Sequence, residues 1–202
     1  MDPTVQRRLI EEVANVVISH ADELTTLDQA IGDGDHGLNM RRGAMAILER
    51  LDDLAAQPLP DALKAAGQTL VMKVGGAAGP LYGTLLMTLG KDLPMAPDRD
   101  DLVRVVGAAI EAVKRIGRSN VGQKTMLDVL SPVLAVLREG GAGLPARLKA
   151  VASAAAEKTV PMRAIRGRAS FLGERSIGHM DPGARSSALI VDAVADVMEG
   201  FA

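Results

Sequence analysis

Between residues 28 and 39 the chain reads Asp-Gln-Ala-Ile-Gly-Asp-Gly-Asp-His-Gly-Leu-Asn. Three carboxylates, Asp28, Asp33 and Asp35, fall within eight positions and have glycines between them, so all three can point into one small volume. Held together without a counter-charge they would repel and raise one another's pKa. A hard divalent cation removes that cost, because Mg²⁺ and Ca²⁺ select carboxylate oxygen and Mg²⁺ completes its shell with water and phosphate. Three aspartates suffice for two such ions set against a polyphosphate. A calcium EF-hand loop counted from Asp33 needs Glu at its twelfth position and finds Ala44. The plainer reading is that these aspartates cap the next helix and occupy turns.

Directly after them, His36, Gly37, Leu38 and Asn39 open a helix whose first N–H groups favour an anion. His36 serves there either as a phosphate contact or as a structural hydrogen-bonder. A second glycine-rich stretch, Gly75 to Thr84, includes Ala77 and Ala78 and again precedes a helix. Its small residues let backbone approach phosphate, and they would equally serve tight helix packing. A third, Gly117 to Asp128, nearly imitates a phosphate-binding P-loop, but Gln123 displaces Lys124 by one place and no strand precedes it. The fourth, Gly167 to Ser187, carries Arg168, Glu174, Arg175, His179 and Asp181 among glycines, just after Arg166. Its length for a connection points to function.

The elements that must position these four segments are helical. Apolar residues recur at three, four and seven steps in eight stretches, and no sustained alternation of period two appears. The stretches run from Val13 to Ile31, Leu38 to Leu54, Leu63 to Val74, Leu81 to Leu89, Leu102 to Val113, Met126 to Leu137, Leu144 to Thr159 and Ala184 to Met198. Asp181-Pro182 is a cap with proline in the first turn. Eight helices on short loops predict an all-α, antiparallel, up-and-down bundle or barrel. Alternate loops then share an end, so the four unusual segments converge on one rim. The ordinary loops near Gln57-Pro58, Pro94–Pro97 and Gly140–Gly143 lie opposite. No linker divides residues 1–202, which read as one domain.

Composition narrows the classes further. Lys and Arg number 23, Asp and Glu 25, for a net charge of −2, without the basic excess of a nucleic-acid binder. Tyr82, Phe171 and Phe201 are the only aromatics, too few for a base-stacking platform. With no cysteine there is no disulfide, thiolate metal site or cysteine nucleophile. No apolar run approaches the roughly 20 residues of a membrane span, and no signal-peptide pattern is visible. The expectation is a soluble cytoplasmic protein. The rim combines three carboxylates, amide-rich turns and arginines, a set suited to Mg²⁺ and nucleotide phosphates.

The stretches LDQAIGDGDHGLNM, GGAAGPLYGT, GQKTMLDVLSP and GRASFLGERSIGHMDPGA, in that order across positions 27 to 184, resemble the L subunit of dihydroxyacetone kinase. That resemblance implies an eight-helix α-barrel with the nucleotide at one rim. It implies two Mg²⁺ ions on Asp28, Asp33 and Asp35. It further implies ADP or ATP contacts from His36, Gly37, Leu38, Asn39, Ala77, Ala78, Gly117, Met126, Arg168, Asp181, Pro182 and Gly183. A separate K subunit would hold the ketose covalently, so no side chain of this chain need act as nucleophile. The resemblance leaves open whether ATP exchanges or a fixed ADP is rephosphorylated by a phosphotransferase-system protein. It also leaves open a tetrulose kinase subunit and a nucleotide-sensing regulatory module. The family often has Ser where Ala78 stands, which removes one hydroxyl donor. Gly34 replaces a common Ala, and the related fatty-acid kinase domain usually has Thr in place of His36.

Overall fold

The structure is a computed structural model, and it describes residues 1–200. Phe201 lies outside the described residues. The described residues form ten α-helices and one 3-10 helix, with no strand among them. The helices are α1 (Pro3–Ser19), α2 (Ala21–Ile31), α3 (His36–Leu48), α4 (Leu51–Ala56), α5 (Leu59–Lys73), α6 (Ala78–Asp92), α7 (Arg99–Gly117), α8 (Leu127–Glu139), α9 (Leu144–Glu157) and α10 (Pro182–Glu199). The all-α class holds, while the expected eight helices become ten because the first two are each broken. His20 (φ −100°, ψ 8°) divides α1 from α2, and Arg50 (φ −110°, ψ 14°) divides α3 from α4. Apolar periodicity runs through both breaks, so it does not register them. The last glycine-rich segment also carries a 3-10 helix (Arg168–Ser176), interrupted at Gly173 (φ 57°).

Packing neighbours follow the order α1, α3, α5, α6, α7, α8, α9, α10 and return to α1, which closes a ring of antiparallel helices. Val17, Leu24, Met40, Tyr82, Val113, Leu127 and Leu189 fill one side of its interior. Val133, Leu148, Ala152 and Ala188 fill the part beneath α8, α9 and α10. Most of this core is Ala, Val and Leu, so the helices approach closely. The tightest seam joins α5 to α6. A Cβ on Gly67 would stand 2.7 Å from the Gly83 carbonyl oxygen, and one on Gly83 would stand 2.8 Å from the Gly67 oxygen. The packing role considered for the second glycine-rich stretch is therefore met by Gly79 and Gly83, whereas Gly75 and Gly76 face Asn39 and Asp35. No helix among the described residues is long and apolar enough to cross a membrane.

Candidate functional site

Helices α3, α6, α8 and α10 all begin at the same end of the ring, each from one of the four glycine-rich segments. Their N-termini surround a cavity of about 390 Å³. It is lined by Asp28, His36, Ala77, Ala78, Gly117, Met126, Arg168, Asp181, Pro182 and Gly183, together with Leu81, Val113 and Ile116. A smaller adjoining cleft is lined by Asp28, Asp33, Asp35, His36, Asn39, Gly75, Ala77, Ala78 and Arg168. For two sequence-predicted residues the side-chain position lies elsewhere, which leaves them only their backbone to offer. Leu38 lines neither space and is 52% exposed. Gly37 packs α3 onto α2, where a Cβ would sit 1.9 Å from the Ala21 oxygen.

Asp28, Asp33 and Asp35 each offer a carboxylate oxygen within 4.8 Å of the others. Asp28 is buried, and its Oδ2 accepts the Asp35 N–H at 2.9 Å and the His36 N–H at 3.0 Å. It therefore caps α3 from seven residues upstream, while Asp35 at the N-cap position makes no capping bond. Asp33 Oδ2 pairs with Arg168 Nη1 at 2.6 Å, across from the segment on the far wall. The donors are all hard oxygen, and the cluster holds one guanidinium against three carboxylates. That donor set fits Mg²⁺.

A hydroxyl network lies below the cluster. Tyr82 is buried on α6, and its hydroxyl lies 2.8 Å from Ser186 Oγ and 2.9 Å from Ser187 Oγ. It also donates to the Gly183 carbonyl at 3.3 Å. Ser186 Oγ lies 3.0 Å from His36 Nε2, so α3, α6 and α10 are joined through one chain of hydrogen bonds. Burial pushes the Tyr82 hydroxyl up to about 12 and lowers His36 from the ordinary imidazole value, against the opposing charges of Asp28 and Asp35. Asp181 caps α10 by accepting the Ala184 N–H at 2.7 Å. Its removal from water pushes its pKa up to about 7, the Ala184 bond and Lys124 opposing, Asp128 and Asp28 adding.

The chain matches the DAK2 domain over residues 30–196. It belongs to the DAK2 domain family. It is 45% identical over 172 residues to the PEP-dependent dihydroxyacetone kinase 1, ADP-binding subunit DhaL, of Listeria innocua, covering 85% of this chain and 84% of that protein. It is 39% identical over 189 residues to the PEP-dependent dihydroxyacetone kinase, ADP-binding subunit DhaL, of Escherichia coli, covering 90% of each. The crystal structure of the C. freundii dihydroxyacetone kinase in complex with AMP-PNP and Mg²⁺ superposes with a TM-score of 0.80 at 25% identity, covering 96% of this chain and 34% of that one.

Several residues that shape this DAK2 site are not among the sequence-predicted contacts. Tyr82, Ser186 and Ser187 carry the hydroxyl network. Asp128 organises the third segment, where its Oδ1 accepts the Gly122 N–H at 2.5 Å and its Oδ2 the Thr125 N–H at 2.7 Å. The signal for Tyr82 was present, since it is the one tyrosine of an aromatic-poor chain and sits inside a glycine-rich stretch.

Proposed function

We propose that this chain is the ADP-binding subunit of a dihydroxyacetone kinase, working in the cytoplasm with a separate K subunit that holds the ketose. The observation that carries the reading is the triad of aspartate oxygens within 4.8 Å of one another, beside a cavity of about 390 Å³ ringed by four helix N-termini. Such termini present unpaired N–H groups and positive dipole ends to an anion. The names of the Listeria innocua and Escherichia coli relatives supply the substrate and the nucleotide.

Asp28, Asp33 and Asp35 would hold two Mg²⁺ ions, which when bound neutralise the charge that develops on the transferring phosphoryl group. In the first turn of α3 the His36 and Asn39 N–H groups are taken by Asp28 and Asp35, so those of Gly37 and Leu38, with the backbone at Ala77 and Ala78, receive the phosphates. Backbone donors there take the place of the hydroxyl that Ala78 lacks. Leu81, Val113, Ile116 and Met126 give an aliphatic slot for the base beside Gly117, and Asp181, Pro182 and Gly183 close it from α10. With a cation held on the carboxylates, Asp33 would no longer be the sole counter-charge of Arg168, and its guanidinium would be available to phosphate oxygen. The accepting hydroxyl arrives on the K subunit's substrate, so this chain orients and neutralises and supplies no nucleophile.

The relatives' dependence on PEP supports a fixed ADP that a phosphotransferase-system protein rephosphorylates in place. The test is reconstitution with a K subunit and dihydroxyacetone, using the chain loaded with radiolabelled ADP. With PEP and phosphotransferase-system proteins supplied as the donor, ketose phosphorylated over many turnovers while the labelled nucleotide stays bound is the expected result. No Mg²⁺-dependent ADP binding, or no ketose phosphorylation with any donor, overturns the proposal. Rapid loss of label with ATP-driven turnover overturns the fixed-cofactor part alone.

A further inference from the structure

Lys124 is the largest fully buried side chain among the described residues, at 1% exposure. Its three partners are backbone carbonyls, those of Val160 at 3.5 Å, Met162 at 3.0 Å and Ser176 at 2.6 Å. A neutral amine has two N–H donors and an ammonium has three, so three acceptors match the charged form. Carrying that charge into the interior is costly unless every donor is satisfied. The backbone at Lys124 is also left-handed (φ 62°), a conformation that a side-chain-bearing residue keeps only where its surroundings determine it.

The three acceptors belong to the two ends of one excursion. Val160 and Met162 enter it, and Ser176 is the last residue of the 3-10 helix that Arg168 begins. The ends are tied again by Gly178 N–H to Val160 O at 2.9 Å and by Ala164 N–H to Ser176 Oγ at 2.9 Å. Ile165 N–H donates to Gln123 O at 3.3 Å, next to Lys124 itself. One ammonium therefore pins both roots of the strap that carries Arg168 to the turn that carries Gly117 and Met126. These are two facing walls of the cavity.

We propose that Lys124 is a positioning residue for the nucleotide site: its ammonium holds residues 160–178 against the 117–126 turn and so places Arg168 before any ligand arrives. The proposal deepens the nucleotide reading and rests on it for the role of Arg168, whereas the tether itself is a property of the free protein. Lys124→Met removes the donors and keeps an unbranched chain, and Lys124→Gln keeps two of them.

The first readout is limited trypsin digestion of the ligand-free chain, since Arg163, Arg166, Arg168 and Arg175 stand in the strap. Cleavage there tracks local opening, and loss of even one charge-assisted bond predicts an acceleration of at least about tenfold in Lys124→Met and less in Lys124→Gln. The second is a double-mutant cycle with Arg168→Ala on Mg²⁺–ADP affinity. Arg168→Ala should weaken binding far less in the Lys124→Met background than in the parent chain, because the guanidinium is already misplaced. Additive losses, or unchanged strap cleavage in both folded variants, overturn the proposal. Loss of helical circular dichroism in both variants also overturns it, because Lys124 is then a core residue and not a positioning one. Should the parent chain fail to bind Mg²⁺–ADP, the nucleotide reading falls while the digestion still judges the tether.

Discussion

Asp35→Asn should stabilise the ligand-free protein and abolish most of its response to Mg²⁺–ADP. Asp35 sits at the N-cap of α3 without a capping bond, and Asn is as good an N-cap, so the exchange sacrifices no hydrogen bond there. It does remove one of three charges whose oxygens lie within 4.8 Å of one another. Each of the two repulsions of Asp35, with Asp28 and with Asp33, is about 1 kcal/mol at about 4.8 Å in the dielectric of water and about 3.5 kcal/mol at an effective value near 20, the second an upper figure because Asp33 and Asp35 are exposed. Arg168 offsets part of this at Asp33. A gain of about 1–3 kcal/mol follows, or a rise of several degrees in Tm for a chain of this length. A ligand at about 100 times its Kd adds about 2.7 kcal/mol to the parent protein; binding about 100-fold weaker leaves about 0.4 kcal/mol. Thermal melts by circular dichroism, with EDTA and then with excess Mg²⁺–ADP, read both quantities. A variant that melts lower than the parent without ligand, yet gains as much from Mg²⁺–ADP, would refute the electrostatic reasoning.

Tyr82→Phe takes the shared hydroxyl from Ser186 and Ser187 and should cost about 1–3 kcal/mol in urea unfolding, with weaker Mg²⁺–ADP binding by calorimetry. Asp181 has a folded pKa of about 7 against an ordinary 3.8, so the unfolded chain releases a proton that the folded chain retains. Stability from this group is greatest below pH 4 and declines as pH rises towards 7, by at most about 4 kcal/mol. Asp181→Asn keeps a capping oxygen and should flatten that decline, as urea midpoints at pH 5 and pH 8 would reveal; identical slopes count against the assignment. Gly83→Val places a Cβ 2.4 Å from Val71 Cγ2 and 2.8 Å from the Gly67 oxygen, and should destabilise by about 1–3 kcal/mol or more. Unchanged stability in that variant would mean that α5 and α6 are not in backbone-to-backbone contact.

The convergence of the four glycine-rich segments was legible because helices on short loops must alternate direction, whatever their packing details. The carboxylate cluster was legible because its members are close in sequence. What Asp28 does was not: its capping of α3 depends on a reversal at Gly32 to Asp35 that residue types alone do not define. That Leu38 offers the site backbone alone was not legible either: a helix turns each successive residue by about 100°, and its side chain faces solvent. Lys124 runs against the strongest sequence rule, that lysine stays at the surface, and its partners are carbonyls, which leave no mark in a sequence. The breaks at His20 and Arg50 were invisible because both flanking halves keep the same apolar face.

Closure of the ring also fixes where the polypeptide enters and leaves. Helix α1 starts, and helix α10 finishes, at the end away from the aspartates, and Gly200 lies close to Arg8 there. With its 18 residues, α10 spans roughly 27 Å from the opening to that far end. A probe attached near Gly200 would therefore report on the far end of the ring without touching its mouth.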